Sequence, residues 1–204
     1  MRRRAKIAIV ALALCAGCSA PERPYQPPEK FFPAELLGST ASLEEEWYGN
    51  QLRAMHEPAL WPVERNVARY RITILPTFEP AKSMTVEKVG NQPPTITATW
   101  LNGAGGYDPG TISSQFRVAL SEAQLQKLRV AFARAKEKHS LVGPGCDTTT
   151  YIFEASDASG YTILETAEPR GSLNDLLKEF EAEAPKTPME SISAFLDRVA
   201  ARYF

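Results

Sequence analysis

The chain has 204 residues, 44% of them hydrophobic, which suffices for one domain with a buried core. Its formal net charge is −1, with 23 Lys+Arg against 24 Asp+Glu, so it lacks the basic excess that nucleic-acid or anionic-lipid surfaces attract. Three cysteines are too few for a disulfide framework.

The first eighteen residues read MRRRAKIAIVALALCAGC. Arg2, Arg3, Arg4 and Lys6 form a positive n-region, Ile7 to Leu14 an apolar h-region, and Ala16-Gly17 a small-residue approach to Cys18. The apolar run from Ile7 to Ala16 has ten residues, about half of the ~20 that a membrane-spanning helix needs. The stretch Leu14-Cys15-Ala16-Gly17-Cys18-Ser19 resembles the bacterial lipobox, with Cys15 where leucine is usual. That resemblance implies cleavage after Gly17 and lipidation (palmitate among the acyl chains) of Cys18, which becomes the mature N-terminus. Ser19, with no aspartate at that position, resembles the pattern sorted to the outer membrane, facing the periplasm. Two or more acyl chains anchor stably, whereas one binds only marginally.

Cleavage removes seventeen residues and leaves 187. With Arg2, Arg3, Arg4 and Lys6 gone, 19 Lys+Arg face 24 Asp+Glu, a balance of −5. Cys18 is spent on the lipid, so Cys146 has no partner for an intramolecular disulfide and reads as a small buried apolar residue.

Residues 18–40 follow as a lipidated cysteine plus a tether. Pro21, Pro24, Pro27, Pro28 and Pro33 deny helix and strand and favour extended polyproline backbone. At ~3.1 Å per residue this gives a reach on the order of 40–50 Å, shortened if Phe31 and Phe32 dock on the domain. The domain itself is expected over 41–204.

Ser42-Leu43-Glu44-Glu45 predicts a capping box, with a first helix from about Leu43 to Met55. Four strand-like segments come next. Tyr70, Ile72 and Ile74 alternate with Arg69, Arg71 and Thr73, which predicts a half-buried strand ended by Pro76. Met84 and Val86 alternate with Thr85 and Glu87; Ile96, Ala98 and Trp100 with Thr95, Thr97 and Thr99; and Phe116, Val118 and Leu120 with Gln115 and Arg117. Short polar links favour an antiparallel meander. Ser121 and Gln124 form a second capping box before Leu125, Leu128, Phe132 and Ala135, and basic residues crowd the far end of that helix. After Gly143-Pro144-Gly145, the segments around Tyr151–Ala155 and Tyr161–Thr166 read as a hairpin about Asp157-Ala158-Ser159-Gly160. Leu173, Leu176, Leu177 and Phe180 then mark a helix opened by Ser172. Thr187-Pro188-Met189-Glu190 opens a last helix with a stripe from Met189 to Tyr203. The expected fold is α+β, a single domain in which an antiparallel sheet of about six strands is packed by three to four helices.

The most unusual internal stretch is Leu101 to Gly110, with four glycines and a proline. It is neither a dinucleotide fingerprint, since a strand follows it, nor a Walker loop, since it lacks Gly-Lys-Ser/Thr. It reads as an elaborate β connection or as a ligand or partner loop whose candidate residues are Gly105, Gly106, Tyr107 and Asp108, with Glu154 beside them. Together with Glu57-Pro58-Ala59-Leu60-Trp61, Tyr70-Arg71 and the segment Gly145 to Glu154, it resembles an uncharacterised bacterial family. That family carries E-P-x-L-W, a YR-containing strand, L-x-G-x-G-G-Y-x-P-G and D-G-x-x-W-x-x-E; Tyr151 stands here where its tryptophan is usual. The resemblance covers about Glu57 to Arg170 and transfers no activity.

The two histidines, His56 and His139, both fall at helix ends. No pair of His or Cys residues has metal-ligand spacing, and no cofactor motif is present. A Cys146–His139 thiol pair lacks an orienting third residue. Glu154 and Asp108 are the two carboxylates that would serve glycosidic chemistry if they faced each other. The expectation is a lipid-anchored envelope protein, more a binding or envelope-maintenance module with a periplasmic protein partner than an enzyme. The alternatives are an inhibitor or assembly factor that inserts the Gly103–Gly110 loop, and a hydrolase of envelope polymers.

Overall fold

The computed structural model describes residues 24–33, 35, 41–105, 108–138 and 149–183. Helix α1 (Ala41–Ala54) precedes strands β1 (Val67–Leu75), β2 (Lys82–Val89), β3 (Thr95–Leu101) and β4 (Ile112–Ala119). Helix α2 (Glu122–Lys138), strands β5 (Thr150–Asp157) and β6 (Gly160–Thr166), and helix α3 (Ser172–Glu183) follow. The strands form one six-stranded antiparallel sheet in the order β4-β3-β2-β1-β5-β6. The α+β domain and the meander followed by a hairpin are therefore as the residue pattern implied. The last helix expected over Met189–Tyr203, together with Cys18, His139 and Cys146, lies outside the described residues.

Register aligns the apolar alternation across strands. Ile72 stands opposite Met84 on β2 and Phe153 on β5, and Val86 stands opposite Tyr70 and Ile96. This face packs against Leu125, Leu128, Phe132 and Ala135 of α2 and Leu173, Leu176, Leu177 and Phe180 of α3. The α2 start is capped as its sequence predicts: the Ser121 N–H donates to Gln124 Oε1 at 2.7 Å, and the Gln124 N–H donates to Ser121 Oγ at 3.2 Å.

The other face corrects the half-buried reading of β1. Tyr70 to Leu75 are buried without alternation, and Arg71 and Thr73 are 0% exposed. Alternation distinguishes two faces of a strand but does not show what covers the second. Here α1 covers it, burying Tyr48, Leu52 and Met55 against Leu75, Ala81, Leu101 and Ile152.

Phe31 and Phe32 complete this second core at 0% and 1% exposure, so the later part of the proline-rich segment lies on the domain as a strap. Glu45 explains how the strap is held. Its carboxylate accepts the N–H groups of Phe31 at 3.0 and 3.1 Å and of Phe32 at 3.1 Å. The helix already begins at Ala41, so Ser42 falls inside it, and Glu45 serves the strap in place of the expected capping box. Arg53 lies 5.3 Å from the Phe31 ring centroid and donates to the Glu29 carbonyl at 3.1 Å. At the strap's start, Tyr25 stacks on His56 at 4.6 Å.

Phe31→Ala should cost about 3–5 kcal/mol by urea unfolding of the full chain, the usual range for emptying a fully buried aromatic site. An unchanged urea midpoint would mean that the strap contributes nothing to the fold.

Candidate functional site

The most concentrated chemistry lies inside the second core and begins at the end of α1. The Glu57 N–H reaches back to the Leu52 carbonyl at 3.0 Å and the His56 N–H to the Arg53 carbonyl at 3.1 Å. His56 adopts φ 59°. This is a Schellman turn with histidine at the position that glycine usually fills. It directs Glu57 under the helix and onto the sheet, where its carboxylate accepts Ser83 Oγ–H at 2.6 Å and Thr85 Oγ1–H at 2.9 Å.

Arg71 occupies the middle of this polar layer. Strand register places it directly opposite Glu154 on β5 and Thr85 on β2. Its Nε donates to Glu154 Oε2 at 2.7 Å, and Nη2 lies 2.6 Å from the same oxygen as an ion pair outside hydrogen-bond alignment. Nη1 donates to the Pro58 carbonyl at 2.8 Å and sits 3.7 Å from Glu57 Oε2. The remaining Glu154 oxygen accepts the Tyr161 hydroxyl at 2.8 Å. Glu57, Arg71 and Glu154, from three separate motif stretches, thus meet in one network. Arg71 and Glu154 are 0% exposed and Glu57 is 4% exposed, so nothing from solvent reaches them.

Two carboxylates share one guanidinium here. Burial pushes the Glu154 carboxyl above its ordinary value, and Arg71 and Tyr161 offset only part of that. Burial works against the Arg71 charge, yet the Glu154 and Glu57 carboxylates outweigh it and raise its pKa. Burial, with Glu154 next, raises the Tyr161 phenol as well.

The glycine loop is built into the same side. Gly105 has φ 54°, and a Cβ there would lie 2.2 Å from the Pro76 carbonyl oxygen. A Cβ on Gly103 would lie 2.0 Å from the Asp108 carbonyl oxygen. Gln51 of α1 donates to the Gly105 carbonyl at 2.6 Å. Gly105 therefore permits close packing against the link after β1, and Gly103 the close return of its own loop at Asp108-Pro109. Asp108 is exposed and accepts the Gly110 N–H at 2.9 Å. Gly106 and Tyr107 lie outside the described residues. With Glu154 enclosed and Asp108 at the surface, the two carboxylates expected as a pair do not share a cleft.

Residue patterning did not single out a different feature, an open groove of about 1040 Å³ at one end of the sheet. The start of β1, the β2–β3 turn, the β5–β6 turn and α2 form it, with Val63, Ala68, Tyr70, Lys88, Arg129 and Asp157 among its lining. The Tyr70 hydroxyl donates to Asp157 Oδ2 at 2.7 Å, while the Ser159 N–H and hydroxyl donate to Oδ1 at 2.8 and 2.6 Å. Burial alone would raise the Asp157 carboxyl, but the bonds from Ser159 and Tyr70 outweigh it and hold the group below its ordinary value. Burial and Asp157 push Tyr70 up to about 12. Sequence separation hid this groove, because its residues come from four distant segments that only the sheet order brings together.

Among the described residues no group of three metal-ligating side chains is placed to hold an ion, and no helix is long and apolar enough to cross a membrane. The chain matches no known family model, and no curated protein aligns with it.

Arg71→Met should cost about 3–5 kcal/mol, because it strands two buried carboxylates. Glu154→Gln should cost less and should change the pH profile. Ionising Glu154 is harder in the folded than in the unfolded chain, so its contribution to stability falls as pH rises through and above the ordinary carboxylate range. Urea unfolding across pH should show Glu154→Gln gaining on the wild type as pH rises; a constant difference would contradict the raised pKa.

Proposed function

We propose that the protein is a lipid-anchored envelope lipoprotein, held through Cys18 in the outer membrane and facing the periplasm, whose domain is a non-catalytic binding module that recognises its target at the end-of-sheet groove. The observation that carries the binding reading is the division of its charged groups. The Glu57–Arg71–Glu154 set, the strongest candidate for chemistry, is enclosed and bonded within the scaffold. The groove, in contrast, is open and lined by both charged and apolar side chains.

The strap refines how the anchor would work. Among the described residues, contacts with the domain begin at Tyr25, seven positions after Cys18. The six-residue step from Cys18 to Pro24 spans at most about 20 Å even when fully extended. The domain would then sit close to the bilayer surface instead of ranging on a 40–50 Å leash.

Cells fed labelled palmitate should label the wild-type chain and not Cys18→Ala, which should leave the membrane fraction. Label retained by the variant would refute lipidation at Cys18. For the binding half, amide exchange of the anchored chain in isolated envelopes should be slower at residues 63–68 and 157–160 than in detergent alone. Equal exchange there would count against the groove as the recognition surface.

A further inference from the structure

The described residues expose four large hydrophobic side chains, Trp61, Val63, Phe78 and Val130. Isolated ones are ordinary on a protein surface, but two of these four adjoin across Pro62 in the link between α1 and β1. Trp61 and Val63 are each 39% exposed, and the exposed run includes Pro62 and continues through Glu64, Arg65 and Asn66. Both ends of this link are fixed. Before it, Leu60 is buried and the Pro58 carbonyl accepts from Arg71. After it, the Val67 N–H donates to the Glu64 carbonyl at 3.4 Å and the Gly90 N–H to the Asn66 carbonyl at 2.8 Å. The link therefore presents an apolar knuckle on a fixed base.

Its place relative to the N-terminal chain decides what covers it. The Tyr25 hydroxyl donates to the Glu57 carbonyl at 3.1 Å, and the Tyr25 ring stacks on His56. Trp61 is four residues after Glu57, a span of at most about 14 Å. The strap thus meets the domain beside this link, and the step from Cys18 to Pro24 adds at most about 20 Å. The other two exposed hydrophobics stand elsewhere. Phe78 follows β1 at the end opposite Val67, where the link enters the sheet, and Val130 is on α2. An anchor at Cys18 would keep the bilayer near the Trp61–Val63 pair.

We propose that Trp61, Pro62 and Val63 form a second membrane contact, inserted at the headgroup–acyl boundary of the leaflet that holds the Cys18 lipid. An indole suits that depth, because its apolar body enters the acyl region while its N–H stays among the headgroups. The contact is apolar, so it needs no basic excess, which the acidic mature chain lacks. Arg65, exposed two residues after Val63, adds one cation for lipid phosphates. Lipid and link together hold the domain in one orientation, and Val63, which also lines the groove, sets the groove's rim at the bilayer surface. The inference rests on the lipid anchor and adds a second point of attachment to it.

The test reconstitutes the full lipidated chain in vesicles of phosphatidylethanolamine and phosphatidylglycerol whose acyl chains are brominated near the headgroup, with unbrominated vesicles as reference. Bromine quenches tryptophans that enter the bilayer. Trp61 is one of three, and Trp47 and Trp100 are half-buried against Tyr48 and Phe116, so emission should fall by up to about a third. Trp61→Leu should float with the vesicles, keep the urea midpoint and lose the quenching. Val63→Asp, which keeps all three tryptophans, should about halve it. No quenching in the wild type, or quenching that both variants leave unchanged, would overturn the proposal. Trp61 shielded from iodide in native envelopes yet unquenched in vesicles would assign the patch to a protein partner and equally overturn it. Palmitate label and flotation read the anchor separately: a labelled, floating chain without quenching overturns this inference alone, whereas a chain that neither labels nor floats overturns both.

Discussion

The rest of the structure depends on the buried guanidinium of Arg71. It stands on β1, one of the two central strands of the sheet, and joins β5 through Glu154 and the end of α1 through the Pro58 carbonyl and Glu57. Ser83 and Thr85 of β2 complete Glu57, and Tyr161 of β6 completes Glu154. Four strands and one helix terminus therefore converge on one cation. A buried ion pair contributes little net stability relative to an apolar core, yet a missing partner is expensive. Its consequence is specification: a one-residue slip of β1 against β5 would rotate Arg71 onto the face that packs against α2 and α3. Only one register satisfies both the apolar core and the charges.

The two faces of the sheet accordingly use different physics. One is covered by α2 and α3 through a core of aliphatic and aromatic side chains, of the kind that tolerates volume-conserving exchange. The other combines an aromatic core with a polar layer, and its cover is a helix plus a strap that is not regular secondary structure. Glu45 links the cover's parts by accepting two strap N–H groups that would otherwise be orphaned above an apolar surface. The glycine loop belongs to this same cover, since Gly105 packs against the Pro76 carbonyl and Gln51 fixes it from α1.

That difference explains what could be read from the residues. Strand parity was legible, because period-two alternation reports a local property: Ile72, Met84, Ile96, Ala98 and Phe153 share the face that α2 and α3 cover, as alternation implies. The Ser121 cap was legible for the same reason. The depth of Arg71 was not, because an arginine between Tyr70 and Ile72 on a strand looks like a solvent-facing residue until α1 is placed over it. Glu57 and Glu154 appeared in separate motifs, and their meeting depends on which strand the second hairpin joins. Phe31 and Phe32 were visible as a hydrophobic doublet among prolines, but only the positions of Leu75 and Leu101 beneath them show that they belong to a core. The groove was the least legible, since its floor and rim come from the ends of elements, where pattern is weakest.

Burial therefore sorts the charged residues by the work left for them. Glu154, both of whose oxygens are engaged from within, and Arg71, enclosed among Glu154, Glu57 and the Pro58 carbonyl, lie out of reach of a ligand. Arg129 differs in one respect: the fold places it in the lining of the open groove, with Asp157 and Tyr70. The Phe132–Tyr70 ring contact at 5.8 Å packs α2 against β1, the two elements that carry Arg129 and Tyr70 into the groove.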